Sequence, residues 1–159
     1  MSVLVKGTAY GREEVMEESM GLLEFLINHT PRKLAEKYIL RITGPIIRVS
    51  NYPLLMRQKI RIMELLINIF KAGFKIDAYR NQIMSVCLRL LQEFKHNNEI
   101  MHIVADTYYA LLSHSVLKKE IILPLFAKLK TFGGNLMQTI YYLVKKIVKD
   151  GLELPKTLF

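Results

Sequence analysis

Hydrophobic residues recur along this chain at spacings of three, four and seven, and this pattern predicts α-helices. Residues with these spacings share one face of a helix. No sustained alternation of apolar and polar residues is bounded by turn signals, so the pattern predicts an all-α fold. The clearest stripes are Val15, Leu22, Leu23 and Leu26; Ile60, Met63, Ile67 and Phe70; Ile83, Val86, Leu90 and Phe94; and Leu136, Ile140, Leu143 and Ile147.

Polar residues, glycines and prolines separate these stripes and predict the helix boundaries. Thr30 followed by Pro31 is typical of a helix start, with threonine as N-cap and proline at the first helical position. Gly73 is typical of a helix end, and Asp77 is a predicted N-cap. The predicted helices cover residues 12–28, 32–50, 53–71, 77–95, 98–113, 117–131 and 135–149.

Alternate predicted helices start near residues 12, 53, 98 and 135, which gives a period close to the roughly 40–47 residues of HEAT-type helix pairs. We therefore expect a HEAT-like α-solenoid of about three and a half antiparallel helix pairs, forming a single array over residues 1–159. The last helix is apolar around most of its circumference, whereas terminal repeats need a polar outer face. The array is accordingly expected to be part of a longer solenoid, or to be completed by a partner or by a homodimer through the last helix.

Two of the predicted helices contain a proline, at Pro45 and Pro124. A proline inside a helix removes one backbone hydrogen bond and bends the axis, which suits a curved array. The alternative at the first position is that Pro45 begins a new helix after Gly44.

The chain is 51% hydrophobic, which raises the question of a membrane span. Its longest uncharged stretch, Thr131–Val144, is 14 residues long, whereas a span needs about 20. We therefore expect no membrane association. Cys87 is the only cysteine and lies in an apolar run, so it is predicted to be a buried, unreactive thiol in a reducing, cytoplasmic protein.

Charge is distributed unevenly along the chain. Through residue 28, two basic residues accompany five glutamates, whereas from residue 29 onward 21 lysines and arginines accompany 9 acidic residues. An acidic first helix thus precedes a strongly basic remainder. Such a surface attracts nucleic acid, ribosomes, anionic lipid or acidic protein domains.

Catalytic and metal-binding patterns are absent from the sequence. No histidine pair has the i,i+4 spacing with an acidic partner that a zinc hydrolase uses, and no glycine-rich loop could bind phosphate. His102 and Asp106 are one helical turn apart and could form a hydrogen bond, which indicates a surface pair more than an acid–base dyad. The sequence predicts a protein that is not an enzyme and has no cofactor.

Basic residues concentrate in the second helix of each of the first three predicted pairs and could form one stripe. The alternative is that these charges only keep an apolar chain in solution. The tyrosines lie on other predicted helices, which favours a protein partner over stacked bases. The residues of this stripe are Arg32, Lys33, Lys37, Arg41, Arg48, Arg80, Arg89, Lys95, Lys118, Lys119, Lys128 and Lys130.

Two segments resemble a known family. Gly11–Val15 with Met20–Phe25, followed about twenty residues later by Arg41–Val49, looks like the HEAT-repeat region of the general-control translational activators. The second segment contains the specific motif Ile-Thr-Gly-Pro. Ser50-Asn51-Tyr52 follows it where the family has Gly-Asp-Arg, and the later helices have little identity with the family.

That resemblance implies a ribosome-associated scaffold of the stress response, which docks the RWD domain of the amino-acid-starvation kinase. It also implies that the arginine of the motif segment, Arg48, contacts that partner. Lys37, Arg41, Arg80 and Arg89 are the basic neighbours expected to assist. Two alternatives stay open at this stage: direct binding of RNA or the ribosome, and a structural subunit of a larger assembly.

Overall fold

The computed structural model describes residues 13–52 and 54–154, with side chains from residue 17 onward. Within these ranges every regular element is helical, which confirms the all-α prediction. The α-helices are α1 (Glu13–His29), α2 (Arg32–Val49), α3 (Met56–Lys71), α4 (Arg80–Glu93), α5 (Asn98–His114), α6 (Lys118–Ala127), α7 (Leu129–Phe132) and α8 (Gly134–Asp150), with one 3₁₀ turn, Asp77–Tyr79, before α4.

Several predicted helix boundaries differ from the observed ones. The N-cap of α2 is Pro31 and not Thr30, and α3 begins at Met56 and not at residue 53. The segment predicted as one helix over 77–95 begins with the 3₁₀ turn, so Asp77 is not the N-cap of an α-helix. The segment predicted over 117–131 is interrupted at Lys128, four residues after the internal Pro124. Helix α2, in contrast, runs through Pro45 without interruption, so the alternative in which Pro45 begins a new helix is wrong.

The chain divides into two compact units, Met1–Val86 and Cys87–Phe159, with the division inside α4. In the first unit, α1 packs against α3, and both contact α2. The buried aliphatic residues lie at helical spacing on the facing sides of these helices, so each helix contributes one stripe to the core. Among them are Met20, Leu23, Ile39, Ile42, Ile46, Ile62, Leu65, Leu66 and Ile69.

An ion pair joins α1 to α3 at the margin of this core. Both oxygens of Glu24 accept from the guanidinium of Arg61, with a distance of 2.8 Å between Nη2 and Oε2. Only 26% of the Arg61 side chain and 21% of the Glu24 side chain are exposed. The hydrogen bonds that Arg61 donates to Glu24 raise the pKa of Arg61, because they stabilise the charged guanidinium.

The second unit is organised around α5, which packs along α8 and also contacts α6. Its core includes Cys87, whose side chain is fully buried, as predicted from its apolar surroundings. Burial raises the pKa of the Cys87 thiol, because a thiolate would lose its hydration there. Burial also raises the pKa of Tyr108 on α5.

Polar contacts fix the ends of the helices in the second unit. Asn97 is the N-cap of α5 and accepts from the amide of Ile100 at 3.1 Å. The amide of His96 donates to Asn135 Oδ1 on α8 at 2.9 Å. At the other end of α5, Lys118 Nζ donates to the carbonyl of Leu112 at 2.7 Å. These bonds fix the approach of the chain to α5 and α8.

No described helix is long and apolar enough to cross a membrane.

Candidate partner-binding surface

Three of the five residues predicted to bind a partner lie on α2. Lys37, Arg41 and Arg48 are all exposed, and spacings of four and seven place them on the same face of the helix. We call these three residues the basic row.

Arg48 lies beside a position at which α2 has no side chain. A Cβ atom built on Gly44 would be 3.6 Å from Arg48 Nη1 and 3.4 Å from Tyr79 Cε1. The hydroxyl of Tyr79 donates to the carbonyl of Leu40 at 3.0 Å, which holds the tyrosine against this part of the helix. The glycine of the Ile-Thr-Gly-Pro segment therefore makes room for both the tyrosine ring and the Arg48 guanidinium.

Arg80 and Arg89 are placed differently from the basic row. Arg80 is the first residue of α4, and its Nε atom is buried without a hydrogen-bond partner in the described part of the chain. It is also only partly exposed. Arg89 is exposed on the part of α4 that belongs to the second unit. The structure thus groups the three residues of α2, whereas the grouping of Arg89 with them stays a prediction.

Two other basic residues of the predicted stripe make internal contacts. Arg32 donates from Nη2 to the carbonyl of Gly73, and its guanidinium carbon lies 5.9 Å from the ring centroid of Phe74. Lys118 binds carbonyls at the end of α5. Both side chains brace helix ends, which is a structural role that the count of positive charges could not reveal.

An apolar groove lies between α1 and α2, and its lining includes Tyr38 and Ile42, which follow Lys37 and Arg41 in the sequence. It encloses about 300 Å³. Phe25 and Leu34, which adjoin lining residues in the sequence, are exposed at 57% and 63%. This groove was not predicted from the sequence. Its only local signal is that the apolar Leu34 and Tyr38 lie one turn apart, beside Lys37 and Arg41. The residues that line it are Leu23, Leu26, Thr30, Ala35, Tyr38, Ile39 and Ile42.

The basic row and the groove together offer positive charge beside an apolar depression. Guanidinium groups bind carboxylates in a bidentate way, and an exposed apolar groove gains from the burial of a hydrophobic side chain. Such a surface is suited to a protein partner that carries acidic and apolar residues side by side. Only the charged part of this surface was predicted from the sequence.

A second depression lies between α5 and α8 in the second unit and encloses about 580 Å³. Three lysines line it, Lys145, Lys146 and Lys149. The predicted pairing of His102 with Asp106 is replaced here by contacts to α8. The ring of His102 stacks on Tyr142 with centroids 3.8 Å apart, and Asp106 accepts from Lys146 at 2.9 Å.

The described residues contain no group of three or more histidine, cysteine, aspartate or glutamate side chains that could hold a metal ion. The thiol of Cys87 lies inside the core and not in either depression.

Comparison with known proteins yields one informative similarity. No protein-family model matches the chain, and no solved structure matches it. The chain is similar to the eIF-2-alpha kinase activator GCN1 of Dictyostelium discoideum, with 29% identity over 101 residues. The matched region covers 62% of this chain and 4% of the relative, so the chain spans a small part of that protein's length.

Proposed function

We propose that this chain is a non-catalytic HEAT-type scaffold that docks an RWD-type domain of a translation-regulating kinase. The observation that carries the proposal is the basic row of Lys37, Arg41 and Arg48 beside the apolar groove. The similar protein from Dictyostelium discoideum is named as an activator of such a kinase, which supports the same direction.

Arg48 has the central role in this proposal. The side chain of Arg48 is exposed, and its guanidinium lies over Gly44 beside Tyr79, so a partner can reach it from solvent. It binds a carboxylate of the RWD-type domain, while Lys37 and Arg41 strengthen the electrostatic attraction. Arg80 and Arg89 contribute long-range charge within the same scaffold.

The test is a binding titration of the purified chain against an RWD domain of the amino-acid-starvation kinase, at low and at moderate salt. We expect Arg48→Ala to weaken binding about tenfold or more, as a central interface arginine does. Lys37→Ala combined with Arg41→Ala should mainly slow association and reduce the salt dependence of its rate. Circular dichroism must show that each variant keeps its helical content.

Lys75→Ala is the matched control, because Lys75 is an exposed lysine of the same unit outside α2. It should bind like the unaltered chain. Absence of RWD binding, or equal binding by Arg48→Ala and Lys75→Ala, contradicts the proposal.

A second function, direct binding of RNA or of the ribosome, is favoured by the depression between α5 and α8. Lysines together with the stacked rings of His102 and Tyr142 resemble sites where bases stack beside phosphate contacts. The same titration with a structureless RNA distinguishes this function. If the chain binds RNA directly, its affinity for RNA should fall steeply as salt increases. The affinity should also decrease in Tyr142→Ala and be unchanged in Arg48→Ala.

A further inference from the structure

Helix α8 exposes an apolar stripe on the side away from its core. Spacings of four, three and four place the members of the stripe on one face of the helix. Their exposed fractions range from 47% to 74%, whereas Leu136, Ile140 and Leu143 of the same helix are buried. We call this set the α8 stripe: Met137, Tyr141, Val144 and Val148.

Lysines border one edge of the α8 stripe. Lys145 and Lys149 are exposed and one turn apart. The ammonium group of Lys145 lies 5.2 Å from the ring centroid of Tyr141, so this charge stands directly beside the apolar surface. A helix that docks on the stripe would therefore meet positive charge along this edge, and an acidic border on that helix would be favourable.

The exposed face of α1 has this complementary character. Leu22 and Phe25 are exposed at 45% and 57%, and Glu17 and Glu18 are exposed one turn earlier. Between them, no atom of the described residues lies within 4 Å of a Cβ position built on Gly21, so another helix can approach closely there. The exposed face of α1 therefore combines apolar side chains with negative charge, whereas the α8 stripe is bordered by positive charge.

We infer that the α8 stripe of one copy docks on the α1 face of a second copy, in a head-to-tail arrangement. A symmetric dimer through α8 would place Lys145 and Lys149 of both copies at one interface, with like charges facing each other. Pairing α8 with α1 instead buries apolar surface on both sides and joins lysines to glutamates. Because the two surfaces differ, each added copy leaves both kinds of surface free at the ends.

Sedimentation of the full chain over a wide concentration range tests this inference. The unaltered chain should show mass that increases with concentration beyond a dimer. Lys145→Glu with Lys149→Glu should weaken the association about tenfold or more, and so should Glu17→Lys with Glu18→Lys. Mixing these two variants should produce a one-to-one heterodimer or a longer alternating species, because each variant keeps the surface that the other has lost.

Lys128→Glu with Lys130→Glu is the matched control, because both lysines are exposed in the same unit and the change in net charge is identical. It should associate like the unaltered chain. Since Glu17 lies 4.0 Å from Arg61, Glu18→Lys alone serves as a second α1 variant that leaves this contact intact.

Three outcomes would overturn the inference. The first is a monomer at every concentration, and the second is association that both double variants retain. The third is a dimer that the α8 variant loses and the α1 variant keeps, which would indicate a symmetric dimer through α8. Arg48→Ala should associate normally, so failure here is separate from failure of kinase docking.

Discussion

Gly44 shows how much of the candidate surface depends on a single residue. It lies inside a regular helix, where glycine is usually unfavourable by about 1 kcal/mol relative to alanine. Its missing side chain leaves space that Tyr79 and Arg48 occupy. A methyl group would still fit at this position, whereas a larger side chain would meet Tyr79 and Arg48.

We expect Gly44→Ala to raise the free energy of unfolding by about 0.5–1 kcal/mol, because a methyl group 3.4 Å from the tyrosine ring makes ordinary contact and alanine favours the helix. Gly44→Leu should lower the free energy of unfolding, because the longer side chain must displace Tyr79. Urea unfolding followed by circular dichroism measures both changes. If Gly44→Ala lowers the free energy of unfolding as Gly44→Leu does, the prediction is wrong and the ring of Tyr79 cannot adjust to a methyl group.

The buried thiol of Cys87 predicts a pH dependence of stability. Its pKa is raised in the folded chain, whereas in the unfolded chain it ionises near pH 8.5. The folded state therefore holds more protons above that pH, and the free energy of unfolding should fall as pH rises beyond about 8.5. Below that pH the thiol is protonated in both states, and its contribution is constant.

Comparison with Cys87→Ala isolates this effect. The variant should be less stable at neutral pH by about 1 kcal/mol, from lost packing. Its stability should decrease less steeply between pH 8.5 and pH 10, before tyrosine ionisation adds its own contribution. Equal slopes in urea titrations across this range would show that the thiol is open to solvent. A thiol reagent that reacts at equal rates with native and unfolded chain would show the same.

At the scale of the element, α1 and α3 are joined by the pair of Glu24 and Arg61 as well as by their apolar faces. The two side chains are partly buried and make two parallel hydrogen bonds, so removal of one partner leaves a charge with reduced hydration. Arg61→Ala is expected to lower the free energy of unfolding by about 1–2 kcal/mol.

Glu64→Ala provides the control for this prediction. Glu64 also faces Arg61, at 3.8 Å from Nη1, but its side chain is 49% exposed. Its removal should change stability by less than about 0.5 kcal/mol. The double variant Glu24→Ala with Arg61→Ala should show a clear coupling energy in denaturant titrations. Effects of equal size at Glu24 and Glu64 would contradict the geometry described for this pair.

The helices themselves were largely accessible from the sequence because apolar periodicity is a strong local signal. The interruptions within these helices could not be predicted from the sequence. Pro124 is followed by a break at Lys128, whereas Pro45 lies in an unbroken helix, although both prolines stand in similar apolar surroundings. The difference depends on which neighbouring elements hold the chain on each side of the proline, and no local pattern records that.

At the scale of the whole molecule, the sequence predicted charge better than shape. The basic row could be predicted because residues four and seven apart share a helix face. The groove between α1 and α2 could not, because it depends on how two helices leave a space between them. Arg32 was placed in the predicted stripe for its charge, yet it binds the carbonyl of Gly73. The solenoid arrangement of the units stays a prediction, as does the extent of the array.

The unbroken passage of α2 through Pro45 has a consequence for the chemistry of the basic row. Proline has no amide hydrogen, so position 45 cannot donate to the carbonyl of Arg41 as a helical residue would. The carbonyl of Arg41 therefore lacks its usual helical donor, and it belongs to the residue whose side chain carries positive charge. A partner that presents a hydroxyl or amide donor next to a carboxylate could bind both groups of Arg41 at once. Selectivity would then come from the backbone of α2, and substitution of the side chain alone would not remove it.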